Sequence, residues 1–135
     1  MPTFENPAAD SEEVRAALRA LAHATRCIED PRQIYSVLGS LTSAVASLSQ
    51  AMHQLAVFHD GATRNGTWMV ADSRADRASA HQVSWELHRA GEILHQVSNS
   101  IAQAHNAEAQ ITYTHRDFPA LTDVPQRVSE PGLRL

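Results

Sequence analysis

The 135-residue sequence lacks most of the features by which enzymes and nucleic-acid-binding proteins are recognised. It has one cysteine, Cys27, no lysine, and no Gly-rich phosphate loop, nucleophile elbow or CxxC pair. A single cysteine excludes an intramolecular disulfide and is typical of a reducing cytoplasm. The net charge of −4 provides no basic surface for a nucleic acid. We therefore expect a non-enzymatic protein with no cofactor and no nucleic-acid partner.

Aromatic residues are also scarce, at 5% of the chain against 43% for all apolar residues. The core must then be aliphatic and rich in alanine, which favours closely packed helices over a β-sandwich or barrel. The length is that of one domain. All eleven basic residues are arginine, which is typical of a high-GC bacterial genome. The N-terminus has no apolar run of the kind found in signal peptides, which favours a cytoplasmic location.

The segment from Gln33 to Phe58 contains no Asp, Glu, Lys or Arg. Its larger apolar residues recur in steps of three and four, which places them on one stripe of an α-helix. The rest of its surface is small or uncharged, and such a surface lets a second backbone approach closely. We predict a helix contacted from more than one side. A transmembrane span is disfavoured, because its serines, its glutamines and His53 would need partners in hydrocarbon.

A second apolar row, between Ala80 and Ala104, predicts another long helix. We predict helices over residues 11–28, 31–59 and 73–111, with the second and third forming an antiparallel hairpin. Asp10 or Ser11 is the expected first N-cap, and Asp30 before Pro31 the second. Residues 1–9 are predicted to be a flexible leader, 10–113 a single helical domain, and 114–135 a Pro-rich, partly docked tail.

The predicted fold is thus an all-α helical bundle, and its interface and core residues come from the two long apolar rows. The apolar stripe of the second helix is wider than the third helix can cover, and the shorter first helix covers only part of the remainder. The uncharged back of the second helix, built from small residues, then remains, and pairing of two chains through it predicts a homodimer of two hairpins. The alternative is a monomeric three-helix bundle whose C-terminal segment caps the open face. The predicted interface and core residues are Leu38, Leu41, Val45, Leu48, Met52, Leu55, Leu87, Leu94, Val97 and Ile101.

Histidine is the residue type in excess, with eight in the chain. On the third helix His88, Glu92 and His95 have i, i+4, i+7 spacing, which can converge on a metal ion. This face is expected to point away from the apolar row. The sequence leaves two interpretations open, a metal-binding helical bundle and a polar flank that packs against a partner.

The residues Tyr113 to Asp117 resemble the Y-x-x-x-D/E signal that follows the helical hairpin of WXG-type substrates of type VII secretion. The resemblance implies a secretion signal at Tyr113 and Asp117 and export without a cleaved leader. The family's Trp-x-Gly turn is missing, since the loop reads Gly66-Thr67-Trp68.

The function that the sequence favours is a non-enzymatic interaction or assembly module of a bacterial cytoplasm. It would self-associate through the uncharged second helix, and a further unidentified protein partner remains possible. A type VII-like secreted hairpin protein and a metal-binding bundle are the alternatives.

Overall fold

The computed structural model describes residues 1–60 and 70–116, together with the backbone of 64–65 and 68–69. It contains three helices, α1 (Pro7–Ala24), α2 (Gln33–Phe58) and α3 (Arg74–Glu108). Two-residue strands β1 (Arg64–Asn65) and β2 (Trp68–Met69) pair antiparallel in the connection before α3. The all-α class and the packing of the second helix on the third are confirmed. Most of the predicted tail, residues 117–135, lies outside the described residues.

Helix α1 begins and ends earlier than the sequence predicts. Asn6 is the N-cap: its side-chain oxygen accepts the Ala9 N–H at 3.1 Å, and Pro7 takes the first helical position. Asp10, one of the expected caps, instead accepts the backbone N–H groups of Thr3 at 2.6 Å and Phe4 at 3.1 Å. The predicted leader is therefore reduced to residues 1–6, because an earlier cap and a proline start the helix first.

The two long helices also begin differently from one another. Ser73 caps α3 by accepting the Asp76 N–H at 2.9 Å. At α2 the N-cap is Arg32 and no side chain caps the helix, although Asp30 was the expected cap. The Asp30 carboxylate is instead engaged by the backbone N–H of Arg32 and by its guanidinium, each at 2.9 Å.

Helix α1 contributes no buried residue. Its apolar side chains Val14 and Leu18 are 48% and 47% exposed. The expectation that α1 would cover part of α2 is therefore wrong for the single chain. The apolar sides of α1 and α2 therefore remain available for contact with another protein.

Helices α2 and α3 pack along each other through small residues. The Ser49 hydroxyl donates to the Gly91 carbonyl at 2.6 Å, and the Ser98 hydroxyl donates to the Thr42 carbonyl at 3.0 Å. Bonds from a short side chain to the opposite backbone require the two backbones to lie close together. Because Thr42 meets Ser98 while Ser49 meets Gly91, the helices run in opposite directions.

The residues at this contact recur every seven positions, which keeps one side of each helix towards its partner. All of them except Thr42 are buried. We call them the small-residue seam: Thr42, Ser49, Ala56, Ser84, Gly91 and Ser98.

The larger apolar residues lie beside the seam rather than within it. None of the ten predicted interface and core residues is buried in the single chain. Leu55 and Val97 are 48% and 39% exposed. The seam is formed by small residues because their size permits close approach, and the hydroxyls of Ser49 and Ser98 are satisfied by the opposite backbone. Among the described residues, no helix has the length and hydropathy needed to cross a membrane.

We expect Ser49→Leu to destabilise the helix pair by about 1–3 kcal/mol, because a larger side chain forces the closely spaced backbones apart. The hydrogen bond to Gly91 is lost as well. The measurement is the free energy of unfolding from denaturant titration followed by circular dichroism.

Ser47→Leu is the matched control, since Ser47 is exposed on the same helix. A surface change of this kind is expected to stay within about 0.5 kcal/mol of the parent. Equal stabilities for the two leucine variants would contradict the seam.

Candidate functional site

A row of polar side chains crosses from α2 to α3 near the ends that the connection joins. His53 Nδ1 lies 2.9 Å from His88 Nδ1. The outer nitrogens face carboxylates, with His88 Nε2 3.4 Å from Asp60 Oδ2 and His53 Nε2 3.4 Å from Glu92 Oε2. Asp60 also accepts a hydrogen bond from the Ser84 hydroxyl. We call these five residues the histidine cluster.

Gly91 provides the space for His53. A Cβ atom built at position 91 would lie 2.5 Å from His53 Nε2, which is closer than real contacts allow. The carbonyl of the same glycine accepts the Ser49 hydroxyl, one turn before His53 on α2. The close approach of the backbones and the position of the imidazole therefore depend on one residue.

A glycine and a histidine also meet near the other end of the pair, but here α2 supplies the glycine and α3 supplies the histidine. A Cβ atom built at Gly39 of α2 would lie 3.1 Å from His105 Nε2 of α3. The His105 ring stacks on Tyr35, with ring centroids 4.1 Å apart and an interplanar angle of 26°. Each long helix thus carries a glycine under a histidine from the other.

The histidine cluster is partly open to solvent. The side chains of His53 and His88 are 33% and 41% exposed, and that of Glu92 is 72% exposed. Electrostatic contacts at such exposure contribute little free energy individually. The histidine cluster is therefore a set of polar contacts at the protein surface and not an enclosed reaction site.

The Ser84 hydroxyl holds the pKa of the Asp60 carboxyl below its usual value. Partial loss of solvation opposes this effect, and the hydrogen bond with His88 supports it. Asp60 is consequently ionised at neutral pH and acts there only as a hydrogen-bond acceptor.

The three residues predicted to bind metal do not converge on one point. His88 faces His53 and Asp60, Glu92 lies beside His53, and His95 is exposed. Over the part of the chain that the structure describes, no three His, Cys, Asp or Glu side chains are arranged to hold a metal ion.

The geometry of the two rings is that of a hydrogen bond. Their centroids are 5.1 Å apart, only about 2.2 Å more than the two nitrogens, so the rings meet nearly end-on. A shared metal ion would require both nitrogens to point to a common third position instead.

Sequence reasoning missed three members of the cluster: His53, Asp60 and Ser84. The i, i+4, i+7 spacing of His88, Glu92 and His95 drew attention to α3, but the partners of His88 and Glu92 come from α2 and the connection. The signal present in the sequence was Gly91 inside a predicted helix. Glycine destabilises a helix interior, so its presence there indicates that another group approaches the backbone closely.

Tyr113, half of the predicted secretion signal, donates a hydrogen bond to the Glu108 carboxylate, and this contact raises the tyrosine pKa. Asp117, the other half, lies outside the described residues. The secretion hypothesis therefore stays a prediction.

Comparisons of the chain with protein-family models, with curated proteins and with solved structures find no match.

We expect Ser84→Ala to raise the pKa of Asp60 towards its usual value of 3.8, because the largest cause of its depression is removed. The measurement is carbon-13 NMR of the carboxyl group as a function of pH. His88→Gln, which removes a weaker contributor, is expected to produce a smaller rise.

The sign of the effect on stability follows from the direction of the pKa. A carboxyl whose pKa is lower in the folded chain stabilises it above the unfolded-state pKa. That stabilisation is lost as the pH falls through the folded-state value. An unchanged Asp60 titration in Ser84→Ala would contradict the assigned contact.

Proposed function

We propose that this chain is a non-enzymatic helical interaction module that self-associates. Two copies pair through the uncharged helix α2 and the adjoining apolar row of α3. The observation that carries the proposal is the exposed apolar side of the helix pair, which is left beside a seam of serine and glycine.

The residues on the exposed apolar side of the helix pair can be identified from their positions relative to the small-residue seam. Leu41, Leu48 and Leu55 directly precede the α2 seam residues Thr42, Ser49 and Ala56. One residue along an α-helix is a rotation of about 100°, so these leucines lie on one flank of the contact.

On α3, Val83, Ala90 and Val97 directly precede Ser84, Gly91 and Ser98. Because the helices are antiparallel, the same rotation leads to the same side of the pair. We call these two rows together the apolar face: Leu41, Leu48, Leu55, Val83, Ala90 and Val97.

The apolar face is only partly covered by its own chain. Leu55 is 48% exposed, and Val83 and Val97 are each 39% exposed. A contiguous apolar surface of this kind on a soluble domain marks an interaction site. Helix α2 carries no formal charge, so a partner can cover it without desolvating a charged side chain.

A second copy is the occupant that suits this face best. An apolar face on an antiparallel helix pair can be covered by an equivalent face, giving a four-helix core. Closed twofold pairing uses the same surface on both copies and leaves neither face exposed. Absence of lysine and an exposed free thiol at Cys27 fit a module of a reducing bacterial cytoplasm.

Sedimentation equilibrium at micromolar concentration is expected to give twice the mass of one chain. The double variant Leu41→Glu/Leu48→Glu is expected to sediment as a monomer with its helical circular dichroism retained, because two charges on the apolar face prevent its burial. A monomeric parent protein would overturn self-association.

Ser43→Glu/Ser47→Glu is the matched control, with the same added charge at exposed positions of the same helix. It is expected to remain dimeric. Dissociation by the serine variant but not by the leucine variant would show that the copies pair through the other side of α2.

A further inference from the structure

The neutral forms of the two clustered imidazoles can be assigned from their hydrogen-bond partners. Asp60 is ionised and only accepts hydrogen bonds, and its contact with His88 Nε2 at 3.4 Å has hydrogen-bond geometry. That nitrogen therefore carries the single proton of neutral His88, and His88 Nδ1 is bare. The 2.9 Å contact between the Nδ1 atoms then requires an N–H from His53. His53 Nε2 is left unprotonated, with a free lone pair.

A carboxylate lies beside this bare nitrogen. Glu92 Oε2 is 3.4 Å from His53 Nε2, and neither a carboxylate nor an unprotonated imidazole nitrogen has a proton to donate. A tetrahedral zinc ion at ordinary distances of about 2.0–2.2 Å from nitrogen and oxygen holds two ligand atoms about 3.4 Å apart. The two atoms are thus separated as neighbouring ligands of one zinc ion are.

The surroundings of His53 are those of a metal-binding histidine. Such a histidine donates its other ring N–H to an acceptor, which fixes the tautomer and the orientation of the ring. His53 donates through Nδ1 to His88, and His88 donates to Asp60, which also accepts the Ser84 hydroxyl. Gly91 leaves the space that the ring occupies. The lone pair of His53 Nε2 is therefore oriented by the chain itself.

We propose that His53 Nε2 and the Glu92 carboxylate are ligands of a divalent transition-metal ion, and that zinc is the ion that suits this donor pair best. Imidazole and carboxylate are both ordinary zinc ligands, whereas Mg²⁺ and Ca²⁺ are bound through oxygen. The remaining coordination positions are taken by water or by a donor from another molecule. The side chains are 33% and 72% exposed, so solvent reaches the ion.

This site differs from the one that the sequence predicts on α3 alone. It keeps Glu92, uses His88 to position His53, and leaves His95 out. Two protein ligands are fewer than the three of a catalytic zinc site, so the ion is expected to bind reversibly. Because His53 belongs to α2 and Glu92 to α3, the bound ion links the two helices.

The zinc site is independent of self-association through the apolar face. His53 follows the seam residue Ser49 by four positions, a rotation of about +40° around the helix, whereas Leu48 precedes it by one, a rotation of about −100°. The two side chains therefore lie on opposite flanks of the seam, and the ion does not need a dimer.

The first test is zinc titration of the full chain, prepared without a histidine tag and freed of metal by chelation. With nitrogen-15 labelled histidine at neutral pH, we expect the first equivalent of Zn²⁺ to shift the Nε2 resonance of His53. His88 Nε2, which carries its proton, is expected to stay in place. Mg²⁺ is expected to have no effect. An unchanged His53 Nε2 resonance, or an equal response to Mg²⁺, would overturn the proposal.

Calorimetric zinc titration of single variants then assigns the ligands. His53→Gln and Glu92→Gln are each expected to abolish the binding, and His88→Gln to weaken it about tenfold because His53 loses its positioning partner. His95→Gln is the matched control, since His95 is an exposed histidine three residues from Glu92, and it is expected to bind as the parent does. Circular dichroism verifies that each variant keeps its helices.

The opposite pattern would show a different site. Zinc binding that survives His53→Gln but is lost in His95→Gln would place the ion on α3 alone and refute the pairing of the two helices. A rise in the melting temperature of the parent with Zn²⁺, absent in His53→Gln, is expected because the ion binds the packed helices and not the unfolded chain. Equal shifts in both proteins would contradict the assignment.

Discussion

The close approach of α2 and α3 is the constraint on which the rest of the structure depends. Serine hydroxyls from each helix reach the backbone carbonyl of the other, at 2.6 Å for Ser49 and 3.0 Å for Ser98. A buried hydroxyl without a partner is costly, so these bonds make serine acceptable where an aliphatic side chain is usual. Small residues at the seam in turn leave the leucines and valines to one side and the histidines to the other.

The helix pair consequently has two sides of different chemistry. One presents aliphatic side chains on a helix without formal charge, and it is suited to burial against protein. The other presents imidazoles and carboxylates that remain partly hydrated.

The sequence predicts the two long helices well but not the residues between them. Steps of three and four from Ile34 to Leu55 indicate a helix whatever its partner is, because the pattern depends on the chain alone. The same rule assigns the contact to the largest apolar residues, and here Ser84, Gly91 and Ser98 form it instead. Their seven-residue spacing was present in the sequence, but its meaning depended on which residues of α2 stood opposite.

The histidine cluster illustrates the same limit more sharply. His88 and Glu92 were identified from spacing on one helix, and a metal was a reasonable ligand for them. Pairing with His53 and Asp60 depends on how α2 and α3 are aligned along their axes, which no local pattern specifies. At the first helix the failure was local, because Asn6 and Pro7 offered an earlier start than Asp10.

Gly39 and Gly91 also determine how α2 and α3 are aligned along their axes. A seam that repeats every seven residues looks nearly the same after a slip of one repeat, about 10 Å along the axis. Outside the histidine cluster, α2 has no ion pair that would penalise that slip. After such a slip, however, His53 would stand over Ser84 or Ser98 instead of Gly91, and Gly39 would no longer lie beneath His105. Only one axial alignment of the two helices therefore places each histidine over a glycine. Rows of leucine alone cannot select one alignment in this way.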